Sequence, residues 1–415
     1  MVAYHISGGA PLQGTIAIHG AKNSVLPLLA AAVAVGGRCT LTNCPAIRDV
    51  DTALDILRHL GCAARRSADR VEVDASGANR TDIPARLMRR MRAAVLFLGA
   101  LLTRFGRAEI SLPGGCVLGE RPIDLHLFGL RRMGAEVEAR GERIVCTMAN
   151  PQPCTIALPF PSVGATENLL LAALACPDEV NICNAALEPE IADLVLFLRA
   201  CGAEIAEKGS VLRVRGGVPL TGCAYRVMPD RIEAATYLIA AAATRGDLLL
   251  TELCPEHLTA VTELLSRASC ELTVGGHSLR LRCRSLRAVS PIRTAPYDGF
   301  PTDAQAPMMA AMAVAEGVSV FEETIFSDRL RHVPALRRMG AQILAAKTHA
   351  VVTGVKTLYG ARAEATDLRG GAAMVIAALC AQGESVITEA EHIERGYADF
   401  VPVLQACGAA IERSN

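Results

Sequence analysis

Leu60-Gly61-Cys62-Ala63, Met133-Gly134-Ala135, Cys201-Gly202-Ala203, Ala268-Ser269-Cys270, Met339-Gly340-Ala341 and Cys407-Gly408-Ala409 are six versions of one short phrase. Their central residues, from Gly61 to Gly408, stand 73, 68, 67, 71 and 68 positions apart. A repeat of about seventy residues therefore organises the whole chain, and such a period is the first thing to settle about a fold. Each phrase closes a helix-like segment and opens a short apolar strand pattern. Gly in five of the six copies suits a helix end that needs a left-handed residue.

Working outward, each copy has a second landmark. An Ala/Leu-rich run followed by a turn occupies Leu28 to Gly37, Ala93 to Gly106, Leu169 to Asp178, Ala234 to Gly246, Met308 to Gly317 and Ala372 to Gly383. A helix apolar on all sides must be buried. Each copy thus holds one buried helix, one amphipathic helix and several strands, and three copies fill each of two domains. A repeat scaffold that only binds partners is the competing reading.

The 415 residues exceed one ordinary core and suit two domains. Hydrophobic residues make up 51% and charged residues 20%, a globular balance. Lys+Arg and Asp+Glu both total 42, so no global field draws in nucleic acid or a membrane surface. Apolar runs such as Ala93 to Leu102 are shorter than a membrane span. Residues 1–9 lack a signal-peptide pattern, so a cytoplasmic location is expected. Fifteen cysteines without Cys/His ligand spacing disfavour zinc, and Cys154, Cys176, Cys201 and Cys380 read as buried thiols in a reducing compartment.

Charges recur in register. Counting back fourteen or fifteen residues from the turn after each apolar helix reaches Lys22, Arg92, Gly164, Arg231, Asp303 and Arg369. Counting back thirteen from each helix-ending phrase reaches Arg48, Arg121, Pro189, Glu256, Ser327 and Arg395. Cations at helix N-termini oppose the helix dipole. Their repetition points to a cleft ringed by helix starts that holds a strongly anionic ligand.

Three segments carry chemistry. Gly20-Ala21-Lys22-Asn23-Ser24 sets a point cation beside an amide, a pairing that suits phosphate or carboxylate. Leu112-Pro113-Gly114-Gly115-Cys116-Val117-Leu118-Gly119-Glu120-Arg121-Pro122-Ile123-Asp124-Leu125-His126 reads as a glycine-rich loop with one cysteine outside any apolar run. A thiol near Arg121 can act as nucleophile or proton donor. Phe300-Pro301-Thr302-Asp303 places a carboxylate among helix-start cations, a general-base position.

Together with Pro161–Thr166, Asp230–Glu233, Thr366–Arg369 and Glu394–Tyr397, these segments resemble the UDP-N-acetylglucosamine 1-carboxyvinyltransferase family, from the first strand to the last helix. The resemblance implies an α/β fold: a two-domain inside-out α/β barrel of six βαβαββ-type repeats, three per domain, around buried parallel helices. It implies an inserted domain 22–228 carrying the catalytic loop 112–121, and a discontinuous domain of 1–21 with 229–415. The active site is then expected in the interdomain cleft, which closes on the substrates.

The implied reaction moves the enolpyruvyl group of phosphoenolpyruvate to the sugar 3-hydroxyl of UDP-N-acetylglucosamine. It needs no metal or organic cofactor. By resemblance, Lys22, Asn23, Arg121, Arg369 and Arg395 bind phosphoenolpyruvate, Cys116 protonates or adds to the enol, and Asp303 faces the 3-hydroxyl. Arg92, Arg121, Pro122, Ile123, Asp124, Leu125, Ser162, Val163, Asp303 and Ile325 would contact the sugar nucleotide. The family also implies alkylation of Cys116 by the epoxide fosfomycin. His126 is open between a phosphate partner and a structural histidine. Phe160-Pro161, Leu187 and Ser327 depart from the family pattern and bear on substrate affinity. A catalytically silent regulatory paralogue, or a 3-phosphoshikimate 1-carboxyvinyltransferase, would share most of these features; the latter lacks the loop cysteine.

Overall fold

The computed structural model describes residues 2–111 and 123–415. These form two compact units: residues 2–19 with Pro229–Asn415, and residues 20–111 with 123–228.

One copy of the repeat shows how all are built. Strand Asp82–Ile83 leads through the 3-10 turn Arg92–Leu96 to the buried helix Phe97–Phe105 and strand Arg107–Ser111. The amphipathic helix Asp124–Arg132 and the hairpin Glu136–Arg140 with Arg143–Thr147 complete it. In the sheet, Asp82–Ile83 runs parallel to Arg107–Ser111, and the two remaining pairings are antiparallel. All six four-stranded sheets among the described residues keep this sequence of one parallel and two antiparallel pairings.

Three copies draw a strand from elsewhere in the chain. Ala224–Arg226 supplies the parallel edge beside Arg38–Thr42, and Gln13–Ala17 supplies it beside Asp247–Thr251. Ala3–Ser7 sits between Glu384–Thr388 and Ala410–Ser414, where the last hairpin would otherwise place its second strand.

Strands form because their apolar residues alternate. In Arg70–Asp74, Val71 and Val73 are buried while Arg70 is exposed. The helices they cover are apolar throughout. Every residue of Lys22–Val35 is buried except Asn23, and the helix is rich in Ala and Leu. Lys22–Val35, Phe97–Phe105 and Val163–Ala173 pack on one another inside one unit. Arg231–Ala243, Thr302–Met312 and Leu368–Cys380 do so inside the other. Each fully buried Leu, Val or Ile contributes about 1.5–3 kcal/mol, so these helix cores hold the units together.

The six phrases mark the expected turns. Gly61, Gly134, Gly202, Gly340 and Gly408 have φ of +95°, +89°, +101°, +95° and +90°. Ser269 adopts the same left-handed turn at +71° without glycine's freedom.

Some expectations are corrected. Ser327 lies in a turn, because its helix begins only at Val333. Arg395 closes the 3-10 turn Ala390–Arg395 and precedes the helix Phe400–Ala406, behind a left-handed Asp399. Glu256 lies in the short 3-10 turn Pro255–Leu258. Cys154 and Cys380 are half-buried rather than buried, whereas Cys176 and Cys201 are buried. Among the described residues, no helix is long and apolar enough to cross a membrane.

Candidate active site

In the unit of residues 20–228, Gly20 makes the tight entry to the first buried helix. A Cβ there would stand 1.7 Å from the Asn43 carbonyl oxygen, so only glycine fits. The Ala21 amide then donates to Met228 O at 2.7 Å, and the helix begins at Lys22 with no side-chain cap. Lys22 Nζ lies 2.8 Å from Asp49 Oδ2, their side chains 10% and 3% exposed. Behind it, Ser24 donates to the Asp193 carboxylate, which also accepts from Tyr225 OH at 2.7 Å. Burial raises the Asp193 pKa against those hydrogen bonds.

His126 is buried, and its Nδ1 is 2.9 Å from Asn168 Nδ2. Asn168 also accepts from Gly99 N and donates to Val95 O at 3.1 Å. With Nδ1 as acceptor the ring is the neutral Nε2–H tautomer. Burial first, and Arg92 second, push its pKa down to about 4. Through Asn168 the neutral His126 ring is tied to the backbone at Val95 and Gly99. Ser162 caps the helix Val163–Ala173 by accepting from Ala165 N at 3.3 Å. Glu167, fully enclosed in that helix, is pushed well above the carboxylate range by burial, then by Glu190 and Glu188.

In the other unit, Asp303 stands on the first turn of Thr302–Met312, and its carboxylate joins two arginines. Oδ1 accepts from Arg329 Nη2 at 2.9 Å, and Oδ2 from Arg369 Nη2 at 3.1 Å and Nε at 3.3 Å. The arginine side chains are 2% and 3% exposed and Asp303 27%. Arg369 stacks 5.2 Å from the Tyr397 ring centroid. Burial would lower its pKa, but Tyr397, Asp303 and Asp230 more than offset this and the value rises. Arg369 Nη1 is buried without a hydrogen-bond acceptor among the described residues.

Glu323 organises the neighbouring loop. Its buried carboxylate accepts from Thr294, Thr302, Ile325 N and Phe326 N, all between 2.9 and 3.1 Å. That arrangement fixes the backbone at Ile325. The helices after Asp230 and Asp367 are closed, since each aspartate accepts from two first-turn amides.

Comparison with known proteins follows the same lines. Residues 6–404 match the profile of EPSP synthase (3-phosphoshikimate 1-carboxyvinyltransferase). The chain is 44% identical over 415 residues to UDP-N-acetylglucosamine 1-carboxyvinyltransferase 2 of Caldanaerobacter subterraneus subsp. tengcongensis, with all of both proteins covered. It is 45% identical over 411 residues to the UDP-N-acetylglucosamine 1-carboxyvinyltransferase of Dichelobacter nodosus, covering 98% of each. The chain belongs to the EPSP synthase family. The crystal structure of the enolpyruvyl transferase NikO from Streptomyces tendae matches it with a TM-score of 0.90 at 26% identity, over 100% of this chain and 99% of that one. The fold is accordingly the inside-out α/β fold of enolpyruvyl transferases.

Within this enolpyruvyl transferase, the expected residues divide by unit. Lys22 and Asn23 stand at one helix start, Asn23 being the one residue of that helix left unburied. Arg92 opens its 3-10 turn half-buried, Ile123 is buried, Asp124 opens a helix exposed, and Leu125, Ser162 and Val163 are half-buried. Asp303 and Arg369 are joined directly, while Ile325 and Arg395 are half-buried in the same unit. Cys116, Arg121 and Pro122 lie outside the described residues. Asp49, Arg329 and Glu323 were not singled out from the sequence, where only their neighbours Arg48 and Ser327 gave any signal.

Three of the helix-start cations have partners within the chain. Asp49 already meets Lys22, Asp303 meets Arg369, and Arg231 lies 5.4 Å from the Tyr297 ring behind a capped helix start.

Proposed function

We propose that this chain is a cytoplasmic enzyme that transfers the enolpyruvyl group of phosphoenolpyruvate to the 3-hydroxyl of UDP-N-acetylglucosamine, releasing phosphate at the first committed step of peptidoglycan synthesis. The observation that carries this reading is full-length identity of 44–45% to relatives bearing that activity's name. In this reading Lys22, Asn23, Arg121, Arg369 and Arg395 bind phosphoenolpyruvate. Arg92, the run Arg121 to Leu125, Ser162, Val163 and Ile325 hold the sugar nucleotide.

The chemical difficulty is that an enol ether carbon is a poor electrophile until its methylene is protonated. Cys116 supplies that proton to C3, C2 gains oxocarbenium character, and the 3-hydroxyl oxygen attacks C2. C3 then returns a proton as the C2–O bond to phosphate breaks, and the cations hold the departing phosphate. Positioned proton transfer contributes about 10²–10⁴-fold.

Asp303 supports a more specific role than general base alone. A carboxylate shared by two guanidiniums is a weaker proton acceptor than an unpaired one. Arg369 has a buried donor still unused. An arriving phosphate or carboxylate draws on Arg369, loosens its hold on Asp303, and so makes Asp303 a better acceptor for the 3-hydroxyl proton only once phosphoenolpyruvate is bound.

A phosphate-release assay with phosphoenolpyruvate and either UDP-N-acetylglucosamine or shikimate 3-phosphate tests the assignment. Turnover with the sugar nucleotide alone is expected. Turnover with shikimate 3-phosphate, or with neither, would overturn it. Cys116→Asp should keep measurable turnover with an acid-shifted optimum and escape alkylation by fosfomycin, whereas Cys116→Ser should be nearly inactive.

A further inference from the structure

Cysteine is unusually frequent here, and two of its sulfurs that have no assigned catalytic role face each other. Cys201 Sγ lies 3.4 Å from Cys223 Sγ. We propose that these two thiols form a reversible disulfide when the protein meets a two-electron oxidant, either a peroxide or a small oxidised thiol.

The geometry favours this pair. Cys201 ends the helix Pro189–Ala200, its amide donating to Phe197 O at 3.0 Å and its carbonyl accepting from Thr221 N at 2.8 Å. Cys223 precedes strand Ala224–Arg226, and its carbonyl accepts from Thr40 N at 2.9 Å. Both backbones are thus fixed while the sulfurs touch. Closing 3.4 Å to the roughly 2.05 Å of a disulfide takes side-chain rotation and a small approach.

Access is asymmetric. Cys201 is buried and Cys223 half-buried, so Cys223 is the sulfur an oxidant reaches. Cys39, buried on the adjacent strand Arg38–Thr42, also shares a hydrogen bond with Cys201. Cys270 and Cys283 form a comparable hydrogen-bonded pair, but both are buried. They are the internal control, a close pair without an entry.

With a peroxide, the Cys223 sulfur attacks one oxygen, the O–O bond breaks, and sulfenic acid and water result. The Cys201 sulfur then attacks the Cys223 sulfur, the S–O bond breaks, and a second water leaves. Two thiols lose two hydrogens, and the peroxide takes both electrons. Burial raises the Cys223 pKa, so little thiolate is present and the pair responds to sustained oxidation rather than to a brief pulse.

The bond would close a ring spanning 22 positions and tie the helix end to the strand. Asp193 on the same helix already accepts from Tyr225 OH and Met228 N, so the disulfide reinforces an existing junction.

To test this, the full-length protein is treated with graded hydrogen peroxide, denatured, blocked with iodoacetamide and digested without reduction. A peptide pair joined through Cys201 and Cys223 is expected, together with loss of two of the fifteen titratable thiols, both reversed by dithiothreitol. Cys270 and Cys283 should be recovered alkylated at the same dose. Cys223→Ser should abolish the cross-link and leave Cys201 alkylated, with an unchanged far-UV circular dichroism spectrum showing that the fold survives. A Cys39–Cys201 link, a Cys270–Cys283 link at lower dose, or full alkylation of Cys201 and Cys223 at doses that oxidise other thiols would each overturn the proposal.

Discussion

Replacing Asp49 by Asn tests whether the Lys22 end of the site is held by its partner or only decorated by it. Unit charges 2.8 Å apart attract by about 6 kcal/mol at an effective permittivity near 20. Most of that is cancelled by the cost of burying two ions, so the intact pair adds little to stability. Removing one charge is different. Lys22 is 8% exposed, and losing the countercharge leaves its ammonium with the burial cost and without that compensation. Such losses run to about 3–5 kcal/mol, and because Asn keeps an oxygen acceptor the expected value is about 3 kcal/mol. Urea unfolding followed by far-UV circular dichroism suits the measurement, since the chain has no tryptophan. Two companions sharpen it. Lys22→Met with Asp49→Leu should recover most of the stability, and inorganic phosphate should stabilise Asp49→Asn more than the parent, because an anion can take the place of the lost carboxylate. A single variant as stable as the parent would refute the reasoning.

Three further outcomes are expected. Asp303→Asn should lower kcat by about 10²–10⁴-fold while calorimetry finds sugar-nucleotide binding within a few-fold. Acid should destabilise the protein through its buried histidines: His126 and His332 both titrate at about 4 when folded, against about 6.5 unfolded. Between those values the unfolded chain takes up protons that the native state refuses, so each costs about 2 kcal/mol on going from pH 7 to 5. His332→Leu should shrink that drop in urea midpoints, and an equal drop would argue against the assignment. Ser269→Gly removes left-handed strain at φ +71° and should raise stability by about 0.5–1 kcal/mol, read as a small rise in Tm.

The repeat was legible because its turns need glycine and its inner helices tolerate no polar face. Five glycines and a serine at positive φ are local requirements, written where they act. What could not be read was which strand completes which sheet. Ala224–Arg226 is three residues long, and nothing in Ala-Tyr-Arg says that it lies beside Arg38–Thr42. The same limit governs the site. A lysine or aspartate at the start of an apolar helix stands out, so Lys22, Asp303 and Arg369 could be picked from the sequence. Asp49 sits in an amphipathic helix with Asp51 and Asp55, and only folding distinguishes the one that meets Lys22. Arg329 and Glu323 are recognisable only once Asp303 and Thr302 are beside them. The register count failed at Ser327 and Arg395 because Pro334 and the left-handed Asp399 shorten the helices that follow.

The borrowed strands have a consequence for how the protein is made. Ala3–Ser7 is translated well before its partners Glu384–Thr388 and Ala410–Ser414, and Gln13–Ala17 waits for Asp247–Thr251. Residues 20–228 contain all the strands of their own sheets and can finish folding while the first nineteen residues remain without a sheet to join. These pairings span sequence separations up to 411 positions, and such non-local contacts form more slowly than local ones. Ala3 ends up beside Ser414, so those two strands can meet only after the residues between them have been made.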